Sequence, residues 1–262
     1  ERDRSSFLRP GTPIIVGHGQ LFHDKGWEML IRVLAKVRSE FPDARLRLVG
    51  EGVLLPELER LAESVLEHDW VVVSDEIHCD LTFTDKPRHT MLAKLAGPED
   101  ALVTAVAPSK SFNMPGLGLS ALVIPDADRR KAMKDVFESM HLPQCNPFSI
   151  AGFEAGYRHG APWLDDLMAY LQASRDYVVE AVGQRLPAIR VSAPEGTYLM
   201  WLDCRELGLD DAGLKRFFVR EARVGMNPGL SFGDPGSGFM RLNIGCARSV
   251  LEEVIGRIEA AL

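Results

Sequence analysis

Two residues of the 262-residue chain stand where reactive side chains and strand patterns coincide. Asp75 closely follows a fully apolar run at residues 70–73, and Lys110 follows a second, largely apolar strand-like run at 101–107. Short apolar runs bounded by polar turns read as buried strands of a parallel sheet. In open α/β sheets, ligands bind outside the C-terminal ends of such strands. An amine and a carboxylate at one such edge make a useful pair. The lysine can form a Schiff base with an aldehyde cofactor, and the carboxylate can keep a pyridine nitrogen protonated. Taken singly, each has a plainer reading: most lysines after a strand are solvated, and an aspartate there usually caps the next helix.

The elements that must position this pair follow from periodicity. Residues 13–16, 46–49, 70–73, 101–107 and 119–124 read as strands. Between the first three, Leu30, Val33, Val37 and Phe41 recur at helical spacing, as do Leu54, Leu58, Leu61 and Val65. Alternating strands and helices imply a parallel sheet. All five strands are expected in one mostly parallel sheet, without a linker near residue 66. A helix is expected at 128–140, and long helical patterns run through 147–184. Strands at 196–202 and 238–244, with helices at 210–223 and 248–262, suggest a smaller α+β domain. The expected fold class is α/β, with segments 1–65, 66–185 and 186–262.

Composition narrows the function classes. Hydrophobic residues make up 46% and charged residues 26%, ordinary for a globular chain. The net charge of −7 argues against nucleic-acid or anionic-membrane binding, which needs clustered positive charge. No apolar stretch approaches the roughly 20 residues of a membrane span. No charged start followed by an apolar run opens the chain, so no secretory signal is expected. The four cysteines are scattered without a C-x-x-C pair, which suggests reduced thiols and a cytoplasmic setting.

Four motifs then carry a resemblance. They are Ser74-Asp-Glu-Ile-His-Cys-Asp-Leu81, Ala107-Pro-Ser-Lys-Ser-Phe-Asn113, Gly196-Thr-Tyr-Leu-Met-Trp-Leu-Asp203 and Gly238-Phe-Met-Arg-Leu-Asn243. In order and spacing, residues 66–262 resemble pyridoxal-phosphate enzymes of the aminotransferase class. The nearest branch is that of the bacterial cystathionine β-lyase-type carbon–sulfur lyases. The resemblance implies pyridoxal 5'-phosphate as cofactor, the large-domain fold of that superfamily, an amino-acid substrate and a possible homodimer. It implies Lys110 as the Schiff-base lysine and general base at Cα, and Asp75 as partner of the pyridinium nitrogen. His78 would lie near the phenolic oxygen, where many relatives have tyrosine, and Ser109 near the phosphate. Arg241 would grip the substrate α-carboxylate with its bidentate fork. Gly118 stands where aminotransferases usually carry a phosphate-binding arginine.

The first 65 residues depart from that family. It implies a Gly-rich phosphate loop, a ring-stacking aromatic and an asparagine ahead of the Asp75 motif, yet residues 1–74 contain neither Asn nor Tyr. Residues 17–26, 41–52 and 55–62 instead resemble the nucleotide-sugar half of two-domain retaining glycosyltransferases. Lys25 matches a donor-phosphate position there, and Gln20 replaces the accompanying arginine. Three readings therefore stand side by side: a pyridoxal-phosphate lyase or transaminase with a Rossmann-like β-α-β replacement at its N-terminal side, a catalytically inactive chimeric α/β protein, and a remnant glycosyltransferase.

Overall fold

A computed structural model of the chain describes residues 14–18, 45–49, 72–94, 102–141 and 146–262. The helical stripes expected at 30–41 and 54–65, and Gln20 and Lys25, lie outside these residues. The chain divides into two compact units, residues 1–80 with 89–160, and residues 81–88 with 161–262.

In the first unit, β1 (Ile14–His18) pairs in parallel with β2 (Arg45–Val49). A second sheet has the order β3 (Val72–Asp75), β4 (Leu102–Val106), β5 (Ala121–Val123). β3 and β4 run parallel, whereas β5 runs antiparallel to β4. Two expectations are thereby corrected. Among the described residues the five strands form two ladders rather than one sheet, and the second ladder is mixed. The cause is the lack of a crossover helix. Parallel neighbours are usually joined through a full helix packed on the sheet. The residues between β4 and β5 hold only the one-turn helix α1 (Pro108–Ser111) and a 3-10 turn at Pro115–Leu117, and the chain returns alongside β4. Helices α2 (Ala127–Ser139) and α3 (Pro147–His159) follow. Asp126 and Asn146 cap them by accepting the N–H groups of Arg129 and Ser149 at 2.7 and 2.9 Å, each satisfying one orphan donor of its first turn.

The second unit is built on the long helix α4 (Ala161–Arg185). It packs with an antiparallel sheet of order β6 (Arg190–Val191), β7 (Leu199–Asp203), β9 (Phe239–Asn243), β8 (Asn227–Pro228). The core gathers Val178 and Val182 of α4, Met200 and Leu202 of β7, Met240 and Leu242 of β9, and Leu251, Ile255 and Ile258 of α6 (Arg248–Ala261). The helix expected at 210–223 begins as α5 (Asp211–Arg216) and widens into a π turn at Phe217–Glu221. The wider turn lets the consecutive Phe217 and Phe218 both enter the core. No helix among the described residues is long and apolar enough to cross a membrane.

Residues 81–88 are tied into this unit by main chain and charge. Thr82 bridges Gly196, and the Thr197 N–H donates to the Leu81 carbonyl at 2.6 Å. The buried Arg175 grips Asp85 with both terminal nitrogens, at 3.1 and 2.9 Å, and lies 4.5 Å from the centroid of Phe83. The glycine that opens the third motif now has a reason: a methyl group at Gly196 would sit 2.3 Å from the Leu81 carbonyl oxygen. Gly196→Ala is expected to cost on the order of 1–3 kcal/mol through enforced backbone displacement. Gly183, inside α4 with open space around it, should respond the other way, Gly183→Ala gaining roughly 0.5–1 kcal/mol from helix propensity. Urea unfolding of both variants checks the opposite signs.

Candidate functional site

The β3–β4 ladder decides what meets at the sheet edge. Register pairs Asp75 with Ala105, and the Glu76 N–H extends the ladder by donating to the Ala105 carbonyl at 2.8 Å. Because the strands are parallel, both C-terminal ends leave from one edge. Asp75 ends β3, and Lys110 lies in α1 directly after β4, so the ladder brings these two residues to that edge. Asp75 Oδ1 accepts the Ile77 N–H at 3.4 Å, turning the chain at the strand end. His78 lies in the turn that follows and is half-buried, as are Ser109 and Lys110 in α1.

Behind Asp75 stands a buried carboxylate that the sequence motif does not explain. Glu76 is 3% exposed. It accepts the Ser74 hydroxyl at 2.7 Å and the Leu92 N–H at 3.2 Å, and pairs with His89 Nε2. Burial pushes its pKa up, but the bonds from His89 and Ser74, the attraction of His89 and the Leu92 amide outweigh it, holding the carboxyl below its ordinary value. The network fastens residues 89–92 to the strand that carries Asp75.

The lysine segment is held from two sides. Ser111, 1% exposed, donates its hydroxyl to Asp80 Oδ2 at 2.7 Å. Burial, followed by the charge of Asp80, raises the Cys79 thiol and the Tyr157 phenol to about 12 each. Downstream, Asn113 takes a left-handed conformation at φ 51°, one that asparagine tolerates better than most residues. On the other side, α3 presents small residues at successive turns. Ser149 donates to the Leu117 carbonyl. A methyl group at Gly152 would sit 2.5 Å from Leu117 Cδ1, at Gly156 3.0 Å from Phe112 Cδ2, and at Gly160 2.5 Å from Phe112 Cε1. Phe112 in turn meets Tyr157 edge-on at 5.4 Å. Gly118 closes the 3-10 turn at φ 61°, a conformation in which an arginine would be strained.

Arg241 belongs to the second unit. It lies mid-strand in β9, opposite Trp201 of β7 and Asn227 of β8. Its Nη2 donates to Asn227 Oδ1 at 3.1 Å, and its guanidinium lies 4.4 Å from the Phe232 centroid. Phe232 meets Trp201 edge-on at 5.4 Å. Burial lowers the Arg241 pKa while Tyr198 opposes that shift. An arginine nevertheless stays charged in any protein environment. Among the described residues its buried Nε has no hydrogen-bond partner.

Sequence reasoning missed the residues that hold others in place: Glu76 with His89, Asp80 with Ser111, and the Asn227–Phe232 brace. Their separations follow no period. Only the four-residue spacing of Gly152, Gly156 and Gly160 was a readable signal.

Comparison with known proteins follows the same residues. The family profile described as aminotransferase class I and II matches residues 50–258. Cystathionine beta-lyase PatB of Bacillus subtilis (strain 168) is 39% identical over 207 residues, covering 79% of this chain and 53% of its own length. The chain spans about half the length of the curated relatives it matches. Among solved structures, the PLP-bound C-S lyase of Staphylococcus hominis is 26% identical with a TM-score of 0.73, covering 87% of this chain and 61% of that one. Cystalysin of Treponema denticola, which contains a pyridoxal 5'-phosphate cofactor, aligns over 97% of this chain and 71% of its own, with a TM-score of 0.83. At 24% identity it speaks to the fold alone. These matches give no support to a glycosyltransferase-like character of residues 1–65.

Glu76 makes the site edge sensitive to acid. Its carboxyl is depressed below the ordinary 4.5, so its contribution is complete above that value and is lost as pH falls through the lower folded-state pKa. Unfolding free energy of the parent should therefore drop as pH is taken below about 4.5. Glu76→Gln should be less stable at neutral pH and should lose less over that acid interval. Denaturant unfolding at a series of pH values checks the sign.

Proposed function

The chain belongs to the aminotransferase class I and II family, and from that premise we propose a pyridoxal-phosphate-dependent carbon–sulfur β-lyase acting on an amino acid such as cystathionine or a cysteine conjugate. One observation carries the reading: the parallel β3–β4 pairing brings Asp75 and Lys110 to a single strand edge in a chain similar to named C–S lyases. Ordinary transamination is the neighbouring chemistry.

The residues present fit the cofactor. A half-buried amine and a carboxylate share the edge, and the donor set adds the hydroxyl of Ser109. Lys110 would hold the cofactor's aldehyde carbon, Asp75 its ring nitrogen, His78 the region of its phenolic oxygen and Ser109 its phosphate. When bound, the cofactor supplies an electron sink for charge that develops at the substrate Cα. Asp75 keeps a proton at the pyridine nitrogen, which sustains that sink. Lys110 Nζ would take the proton from the substrate Cα. Arg241 would bind the α-carboxylate, since the guanidinium's parallel donors suit a two-oxygen acceptor. Cleavage of the Cβ–S bond with uptake of one water gives a thiol, pyruvate and ammonia.

The same proposal covers organisation: large-domain elements at 66–185, a small domain at 186–262, and a second copy of the chain as partner. A Rossmann-like β-α-β replacement in residues 1–65 remains a proposal resting on the sequence pattern of that segment.

The decisive experiment is a titration with pyridoxal 5'-phosphate, borohydride reduction and peptide mass analysis. The expected adduct is on Lys110 and is lost in Lys110→Ala. No adduct at saturating cofactor would favour the inactive chimera. With cystathionine as substrate, Arg241→Lys should raise KM by roughly tenfold or more through loss of the two-pronged contact. Asp75→Ala should lower kcat roughly a hundredfold to a thousandfold.

A further inference from the structure

We infer that Asp80 is a positioning residue for Lys110, acting through the Ser111 hydroxyl to fix α1 against the segment that leaves β3. The inference rests on the proposed role of Lys110. α1 is a single turn, Pro108–Ser111, and cannot hold its own shape. Its last residue is nearly inaccessible, and that residue's hydroxyl donates to Asp80 Oδ2 at 2.7 Å across 31 positions of sequence. Asp80 lies five residues after Asp75, and Ser111 directly follows Lys110. One bond therefore cross-links the two segments that carry the proposed cofactor-holding groups, on the side of α1 where the segment after β3 approaches.

The chemistry explains why a carboxylate does this work. A hydroxyl-to-carboxylate bond is shorter and about twice as strong as a neutral one. Its donor is buried, so losing the acceptor would strand a polar group away from water. The β3–β4 ladder fixes the two strand ends, but it ends at Glu76 and Ala105. Beyond it, the cross-link limits how far Lys110 can swing from the edge that bears Asp75. Asp80 touches neither cofactor nor substrate in this account. Its effect is on the angle and distance at which the amine is offered.

The test compares the 262-residue chain with Ser111→Ala, Asp80→Ala, the double variant and Ser111→Thr, which keeps the hydroxyl. Amide hydrogen exchange of a peptide covering residues 108–114 reads the brace without any cofactor. Loss of the bond should speed exchange on the order of tenfold to a hundredfold in either alanine variant. The double variant should be no faster than the single ones, and Ser111→Thr should stay close to the parent. In parallel, the rate of borohydride-trapped pyridoxal 5'-phosphate attachment at Lys110, measured well below the melting temperature, should fall in the alanine variants and recover in Ser111→Thr. Unchanged exchange in the alanine variants, or additive effects in the double variant, would overturn the brace. Faster exchange with an unaltered attachment rate would overturn the positioning role. A parent chain that never takes the label at Lys110 would refute both the positioning role and the cofactor reading above.

Discussion

The site depends on one constraint, the parallel pairing of β3 with β4. Parallel strands end at the same edge, and here the first ends in a carboxylate and the second leads directly into a lysine. An antiparallel pairing would send the two residues to opposite ends of the sheet, whatever their spacing in sequence. β5 then returns antiparallel to β4 without a long helix between them. The segment between β4 and β5 holds the lysine, one helical turn and a 3-10 turn, then folds back beside its own strand.

Within each unit, buried charged groups are fixed by partners. Glu76 is matched by Ser74, His89 and the Leu92 amide. In the second unit, Arg175 is matched by Asp85 and Asp176. A buried charge without such partners would cost several kcal/mol. These networks therefore specify local geometry more than they add stability. They hold connecting segments, residues 89–92 and 81–88, which have little secondary structure of their own. Arg241 is treated differently: it is propped on an aromatic ring and one amide, with donors to spare.

Much of this was readable from the chain, for physical reasons. Apolar runs closed by polar turns located β3 and β4, because strands of a covered parallel sheet read as near-continuous hydrophobic runs, here with the buried Ser74 and Thr104 among them. The expectation of a parallel sheet then singled out Asp75 and Lys110 at its C-terminal edge. The direction of β5 was not readable, since an apolar stretch such as Leu119 to Ile124 is equally good in either orientation. The antiparallel return goes with the lack of a crossover helix between β4 and β5. The π turn at Phe217–Glu221 was hidden for a similar reason: two adjacent phenylalanines fit a helical stripe poorly, but nothing says how the backbone will accommodate them. Asp80 and Ser111 were invisible, because a hydrogen bond across 31 positions leaves no period.

The glycines of α3 carry a consequence for how the molecule is assembled. Each glycine in a helix interior costs about 1 kcal/mol relative to alanine, and α3 holds Gly152 and Gly156 within 13 residues. Alone in water such a segment would spend little time helical. It becomes worthwhile as a helix only when Phe112, Met114 and Leu117 fill the space its missing side chains leave open. Helix and lysine segment therefore each stabilise the ordered form of the other. A nascent or partly unfolded chain would not offer a preorganised amine to stray aldehydes.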